Sequence, residues 1–370
     1  TFCGLNIHFV TITLKTGLFI TVDLTEVMKM DKLKVIQIGL CHDHGTSAFN
    51  SILRQPELFE VLGFAVTPEE FAEEPKHCDE IIKEYRDDRG ITMYTVEEIL
   101  ALEGVEAAVV ECRENHLNKY AIMAAKRGLH IYMDKPGGWK LSEFEELVRL
   151  VKERKLAFSI GYMYRFNPKI EEIMKRIKNG EIGEVYCVEA HMDCEHAPSN
   201  RQRLEKFPGG MMFFLGCHLI DLIYRIQGEP EEVLPMNCCT GFDGVTADDY
   251  GMVLFKYKNG ISFAKSCAKE IGGYMRRQLV VCGSKGTFEL KPLEAFEPGT
   301  ERDWIYTVMR EVPEKQSWQY SGKYTKTNYF NRFDAMLKNF ADVAKGRKEN
   351  PYSYDYELSL FKLLLKSCGK

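Results

Sequence analysis

No two of the twelve cysteines (positions 3, 41, 78, 112, 187, 194, 217, 238, 239, 267, 282 and 368) stand at the C-x-x-C spacing of a zinc site or redox pair. Thiols scattered in this way suit a reducing compartment, so the expected location is cytoplasmic. Blocks of like charge are also missing. Acidic and basic residues interleave to a formal net charge of -5, which gives a polyanion no basic stripe to follow, and nucleic acid is not an expected partner. Nor is there an uninterrupted apolar run of membrane length. The nearest stretch, 210–226, carries His218, Asp221 and Arg225, and Asp or Arg at a bilayer centre would each cost about 2.5–3.5 kcal/mol. It reads as a buried helix, and no membrane partner is expected. Residues 1–29 have no basic leading region and no small-residue cleavage site, so they do not resemble a secretory signal. Met30 is a candidate start, and alternation through HFVTITL and LFITVDL equally suits a hairpin added to a sheet edge.

From Lys32 onward the chain alternates strand and helix patterns. LKVIQIG, FEVLGFAV (59–66), VEAAVV (105–110), HIYM and LAFSIGY read as buried strands. TSAFNSILRQ, HCDEIIKEYRDD, 96–102, HLNKYAIMAAKRG and LSEFEELVRLVKERK read as the helices between them, with Ser142 as the cap of the last. Such repeats with short connections predict a doubly wound parallel sheet over 30–161. After Tyr162 the grammar changes. Asn167 and Pro168 suit the N-cap and first residue of the helix PKIEEIMKRIKNG. Longer alternating segments follow: EVYCVEAHM, EEVLPMNCCTG, DDYGMVLFKYKNG, ISFAKSCAKE, RRQLVVCGSKG and TFELKP. They predict an α+β half over 162–370 built on a large, mostly antiparallel sheet, while 292–327 shows no clean period.

Two places point to chemistry. HIYM runs straight into Asp134, Lys135 and Pro136, and ligands of open α/β sheets lie outside the strand carboxyl ends, so Lys135 is aimed at a crevice. Along the apolar helix, Phe214, His218, Asp221 and Arg225 fall on one stripe. Polar groups there must pair or face a cavity; Asp221 could pair with Arg225 one turn on and orient His218. Elsewhere, HMDCEH (191–196) places His191 and Asp193 on the opposite strand face from Cys194 and His196. No metal is expected.

IGLCHDHG, the Asn115-His116 helix start, Asp134-Lys135-Pro136, GYMYRFNP, IGEVYCVEAHM and the run 209–233, in this order, resemble the Gfo/Idh/MocA family of oxidoreductases. The resemblance covers the chain from Met30. It implies a Rossmann domain binding NAD or NADP, a second domain whose sheet forms a homo-oligomer interface, and hydride transfer at a secondary hydroxyl of a sugar, cyclitol or related polyol. It implies His218 as acid/base and Lys135 as the cation beside the reacting oxygen; Tyr162, by its apolar face and polar tip, and Asp221, one turn from His218, are candidates for the substrate side. On the cofactor side it implies Gly39, Cys41, His42, His44, Gly45, Thr67, Asn115, His116, Asp134, Lys135, Pro136 and Arg165. Three departures stand out. The fingerprint G-x-G-x-x-G has Cys41 and His44 where glycines belong, with Gly45 one position late, and Asp43 would repel a diphosphate. Val66 is followed by Thr67 where a ribose-binding acid is expected, so Glu69 or Glu70 must bend back to replace it. Phe214 stands where the family often has an aspartate. Two readings follow: an NAD(P)-dependent dehydrogenase, or a protein of the same fold without net redox turnover, either a sugar-ligand binder or an enzyme that recycles its nicotinamide within one cycle.

Overall fold

A computed structural model describes residues 9–13, 19–23, 31–42, 44–296, 299, 302–314 and 319–370; Asp43 lies outside them. Strands β1 (Phe9–Thr13) and β2 (Phe19–Asp23) pair antiparallel. The hairpin expected there forms, but as a separate two-stranded sheet and not on the edge of another.

Strands β3 (Leu33–Ile38), β4 (Phe59–Ala65), β5 (Ala107–Val110), β6 (His130–Met133) and β7 (Phe158–Ile160) make a parallel sheet in the order β4-β3-β5-β6-β7. Covered on both faces, they show the continuous apolar runs of buried parallel strands: all four residues of β5 are buried. Beyond β4 a single parallel bridge, Phe64 to Met93, marks where one more strand would lie. The strand order reverses between β3 and β5, which opens a crevice at their carboxyl ends. Ser142 is not the cap of the helix Leu141–Glu153; the chain enters that helix from Lys140, two positions before Ser142. Asn167, by contrast, accepts from the amides of Lys169 and Ile170 at the head of Pro168–Lys178.

The second sheet has eight strands: β8 (Val185–His191), β9 (Glu232–Cys238), β10 (Tyr250–Tyr257), β11 (Gly260–Cys267), β12 (Gln278–Gly283), β13 (Gly286–Leu290), β15 (Val308–Pro313) and β16 (Lys323–Lys326), with the pair β14 (Trp304–Ile305) and β17 (Phe330–Asn331) apart from it. Its order is β16-β15-β13-β12-β8-β11-β10-β9, antiparallel throughout except between β8 and β11. Strands β15 and β16 fall in the stretch without a clean period; β15 buries one residue and β16 none, so neither needs an apolar alternation. The apolar helix breaks at Leu215 into Gly210–Phe214 and Gly216–Gln227, and lies against the inner face of this sheet with His218 turned toward the first. Among the described residues no helix is long and apolar enough to cross a membrane, and the cysteines are free thiols.

Candidate active site

The turn after β3 is built by close approach. Gly39 has φ +86, and a Cβ there would lie 2.5 Å from the Cys112 backbone nitrogen; a Cβ on Gly45 would lie 2.8 Å from the Leu40 carbonyl oxygen. Buried Gln37 donates to the carbonyls of Gly39 and Gly45 (3.0 and 2.8 Å) and pins both ends of the turn. Gly45 therefore performs the helix-packing task of the fingerprint's last glycine from one residue later. Cys41 is buried, and its thiol is held far above its ordinary value by burial.

Glu70 does bend back. Its Oε1 accepts from the amides of Leu40 and Cys41 (3.0 and 2.8 Å), and its Oε2 from the Thr67 amide and hydroxyl (2.8 and 2.9 Å). Thr67 is the N-cap of helix Pro68–Glu73, with Glu70 closing a capping box. The spacing Thr67-x-x-Glu70 was the available signal, and its second use, on the turn amides, needed the fold.

His42 and His44 face carboxylates. His42 is 4% exposed, with Nε2 3.3 Å from Glu114 Oε1 and Nδ1 3.7 Å from Asp134 Oδ2; His44 Nδ1 lies 3.1 Å from Asp134 Oδ1. Burial pushes the Asp134 carboxyl up, but His44 and Lys135 prevail and hold it below its ordinary value. Glu111, just past β5, is wholly buried with neither oxygen hydrogen-bonded; burial, then Asp134, pushes its carboxyl well above the ordinary range. Glu111 and Glu114 were not anticipated, and only their packing distinguishes them from solvated acids. Asn115 lines the crevice and its amide meets His116 at 2.9 Å.

Lys135 is 1% exposed and precedes a cis peptide bond to Pro136. Its Nζ donates to the Phe214 carbonyl (3.2 Å) and stands 4.7 Å above the Phe214 ring. His218 packs edge-on against Tyr162 and Tyr164, with centroids 5.7 and 5.2 Å away. Burial and then the charge of Lys135 hold the imidazole well below its ordinary value, so it is neutral near pH 7. The lysine and the histidine, 83 positions apart by their numbers, thus meet within electrostatic reach. Beside them opens a cavity of about 540 Å³ lined by His44, Tyr164, Phe214 and His218 and, on the far wall, by Arg277, Glu294 and Arg332. Glu294, fully buried, accepts from Arg277 and from Arg332 (3.3 Å). No local pattern marked this ionic wall.

Three expected site residues turn away from the cavity. Asp221 does not pair with Arg225; it accepts from Arg165 Nε and Nη2 (3.0 and 2.7 Å) and from the Tyr356 hydroxyl (3.2 Å), while Arg225 donates to the Arg165 carbonyl. Arg165, expected on the cofactor, is 2% exposed and spends its remaining donors on Glu357 (2.5 and 3.0 Å). Tyr162 stands behind His218 with its hydroxyl toward the Pro136 carbonyl, and Tyr164 takes the cavity position. The tertiary cause is one: the guanidinium draws both carboxylates to itself. Likewise Asp193 pairs with Lys265 (3.1 Å) and forms no cluster with His191, Cys194 or His196.

Residues 33–162 match the model described as an oxidoreductase family, NAD-binding Rossmann fold, and residues 170–289 match the Gfo/Idh/MocA C-terminal domain. The chain is 25% identical over 309 residues to an uncharacterised oxidoreductase of Schizosaccharomyces pombe (74% of this chain, 82% of that protein). It is 24% identical over 195 residues to the myo-inositol 2-dehydrogenase of Thermotoga maritima, spanning 51% of this chain and only 57% of the relative. Two solved structures share the fold: an aldose-aldose oxidoreductase from Caulobacter crescentus (TM-score 0.71, 18% identity, 91% and 98% covered) and a 3-ketoreductase from Actinomadura kijaniata in complex with NADP (TM-score 0.73, 16% identity, 90% and 96% covered). With both halves matched in order around one crevice, the chain belongs to the Gfo/Idh/MocA family of oxidoreductases.

Proposed function

We propose that this protein is an NAD(P)-dependent dehydrogenase acting on a secondary hydroxyl of a sugar, cyclitol or related polyol. The observation that carries the reading is that buried Lys135 acts electrostatically on neutral, buried His218, a wall of the cavity, and rests on the ring of Phe214, another of its walls. The residues at the crevice fit a dinucleotide: Gly39 and Gly45 allow the close turn, and helix Gly45–Leu53 has no acidic residue in its first turn and no side chain capping its amides, which leaves an anion-binding end. Asp134 stands at that end, 3.1 Å from the ring of His44. The bound nicotinamide supplies the hydride acceptor or donor.

The rest is done by the chain's own groups. A neutral imidazole takes the hydroxyl proton, and His218 is in that form. The Lys135 ammonium, out of water, stabilises negative charge on the substrate oxygen. The Phe214 and Tyr164 rings offer apolar faces to a sugar, and Arg277, Glu294 and Arg332 offer donors and an acceptor to its other hydroxyls. The outer face of the large sheet exposes Leu234, Met236 and Ile261, which supports a homo-oligomer through that sheet.

The test is titration with NADH and NADPH, followed by nicotinamide fluorescence and thermal shift, and then a polyol panel read by reduced-nicotinamide absorbance. Binding of one cofactor and turnover reduced about 10²–10⁴-fold in His218→Ala is the expected result; no response to either cofactor overturns the reading. One observation favours the alternative of a sugar-ligand binder: Glu70 already occupies the amides of Leu40 and Cys41. Sugar binding with no response to either cofactor would select it, and product formed without net absorbance change would select the recycling enzyme.

A further inference from the structure

Among the described residues, one group of potential ligands lies within metal-binding reach: His42, His44 and Asp134, with one ligand atom from each within 4.8 Å of the others. We propose that these three residues bind a divalent first-row transition ion, of the Zn²⁺ type, at the carboxyl ends of β3 and β6. The proposal shares Asp134 with the dehydrogenase reading, and its test is run without nucleotide so that the two can fail separately.

The geometry has the features of a built site. Bonds of about 2.0–2.1 Å in a tetrahedron set ligand atoms roughly 3.3 Å apart; here Asp134 Oδ1 lies 3.1 Å from His44 Nδ1 and Oδ2 lies 3.7 Å from His42 Nδ1, so the carboxylate reaches both rings. The other nitrogen of His42, Nε2, stands 3.3 Å from Glu114 Oε1. A proton held there by Glu114 leaves the Nδ1 lone pair turned toward Asp134. Ligating histidines are oriented in this way by an outer carboxylate. Asp134 Oδ2 has no hydrogen bond, and Glu111, wholly buried with both oxygens unpaired, lies within electrostatic reach of Asp134. Unpaired buried carboxylate oxygens are costly unless a cation answers them. Lys135 lends its charge to Asp134, and its Nζ also donates to the Phe214 carbonyl, 3.2 Å away.

Three protein ligands leave a fourth position open, the arrangement of a catalytic ion and not of a closed structural one. His44 is also a wall of the cavity that holds His218, so the open position faces a substrate oxygen or water. Two imidazoles and a carboxylate favour Zn²⁺, Co²⁺ or Fe²⁺ over Mg²⁺ and Ca²⁺, which prefer all-oxygen shells.

The experiment uses the full chain, free of any histidine tag, stripped by chelator and without nucleotide. Calorimetric titration with Zn²⁺ should give one equivalent per chain. Co²⁺ should give the visible absorption of a four- or five-coordinate nitrogen and oxygen site. Asp134→Asn and Glu114→Gln, both near-isosteric, should weaken binding about 10–100-fold, with His44→Ala at least as damaging and the surface variant His77→Ala without effect. Absence of stoichiometric binding, or equal affinity in Asp134→Asn and His44→Ala, overturns the proposal. Should a variant fail to fold by circular dichroism, the native Co²⁺ form still decides: paramagnetic shifts on two histidine rings support the site, and their absence overturns it.

Discussion

Two buried ionic clusters lie on either side of His218, and they differ in how completely they are satisfied. In the Arg165 cluster the guanidinium meets Asp221 and Glu357 at once, Tyr356 adds a donor, and Tyr352 packs on the guanidinium at 3.9 Å. Around Asp134, by contrast, Glu111 has no hydrogen bond on either oxygen, and one oxygen of Asp134 has none. A saturated buried network fixes architecture, because nothing is left over to bind. An unsaturated one costs stability, and such cost is retained where a ligand later supplies the missing partner. Burial alone therefore does not identify a site: Arg165 is as buried as Lys135, yet only the lysine rests on a side chain, Phe214, that lines the cavity.

Breaking the saturated cluster should be the most damaging change. Arg165→Ala leaves two carboxylates buried without their cation and should cost about 3–5 kcal/mol, read as a shift of the denaturation midpoint. A loss below about 1 kcal/mol would mean that water enters and the cluster is not sealed. On the other side, His218→Gln should leave the midpoint nearly unchanged while removing turnover about 10²–10⁴-fold; equal loss of stability would erase the distinction drawn here. Glu70→Ala lies between, since it strips two turn amides and a helix cap of their acceptor. About 1–3 kcal/mol of destabilisation is expected, together with altered cofactor affinity in the fluorescence titration.

The smallest effects concern protons. His218 has a folded value below its unfolded one, so as pH falls the unfolded chain takes the proton first. Its contribution is complete above about pH 6.5 and declines below, and His218→Gln should flatten that part of the stability profile. Glu111 has the opposite sign. Its folded value is raised, so its contribution is lost as pH rises above the ordinary carboxylate range. Glu111→Gln should accordingly stabilise the metal-free protein by about 1 kcal/mol at pH 8 and by less at pH 5. Stabilisation of the same size at both values would show that the carboxyl is ionised in the fold.

Much of the fold was readable because it is local. The strand HIYM, the capping of Pro168–Lys178 by Asn167 and the β-α rhythm from Lys32 follow from residues within one or two turns of each other. Ser142 was misplaced as a cap by two positions, the usual uncertainty of an element boundary. Strands β15 and β16 escaped notice because their pairing partners, not their own alternation, hold them in the sheet. Within the site, Lys135 and His218 could be singled out from sequence, whereas Asp221 and Arg165 were assigned to the wrong surroundings.

The order of residues thus determined which segments become strand or helix and which few side chains carry chemistry at the ends of those segments. Tertiary structure alone decided which charges are answered. Arg165 finds Glu357 across 192 positions, a pairing no local pattern encodes, and in doing so it removes Asp221 from the cavity. Glu70 reaches the turn from 29 positions away, and His42 and His44 reach Asp134 from about three times that distance along the chain. Secondary structure arises from short-range repulsion and hydrogen bonding, but the satisfaction of a buried charge depends on every group brought within a few ångströms of it, and that set exists only once the chain has folded.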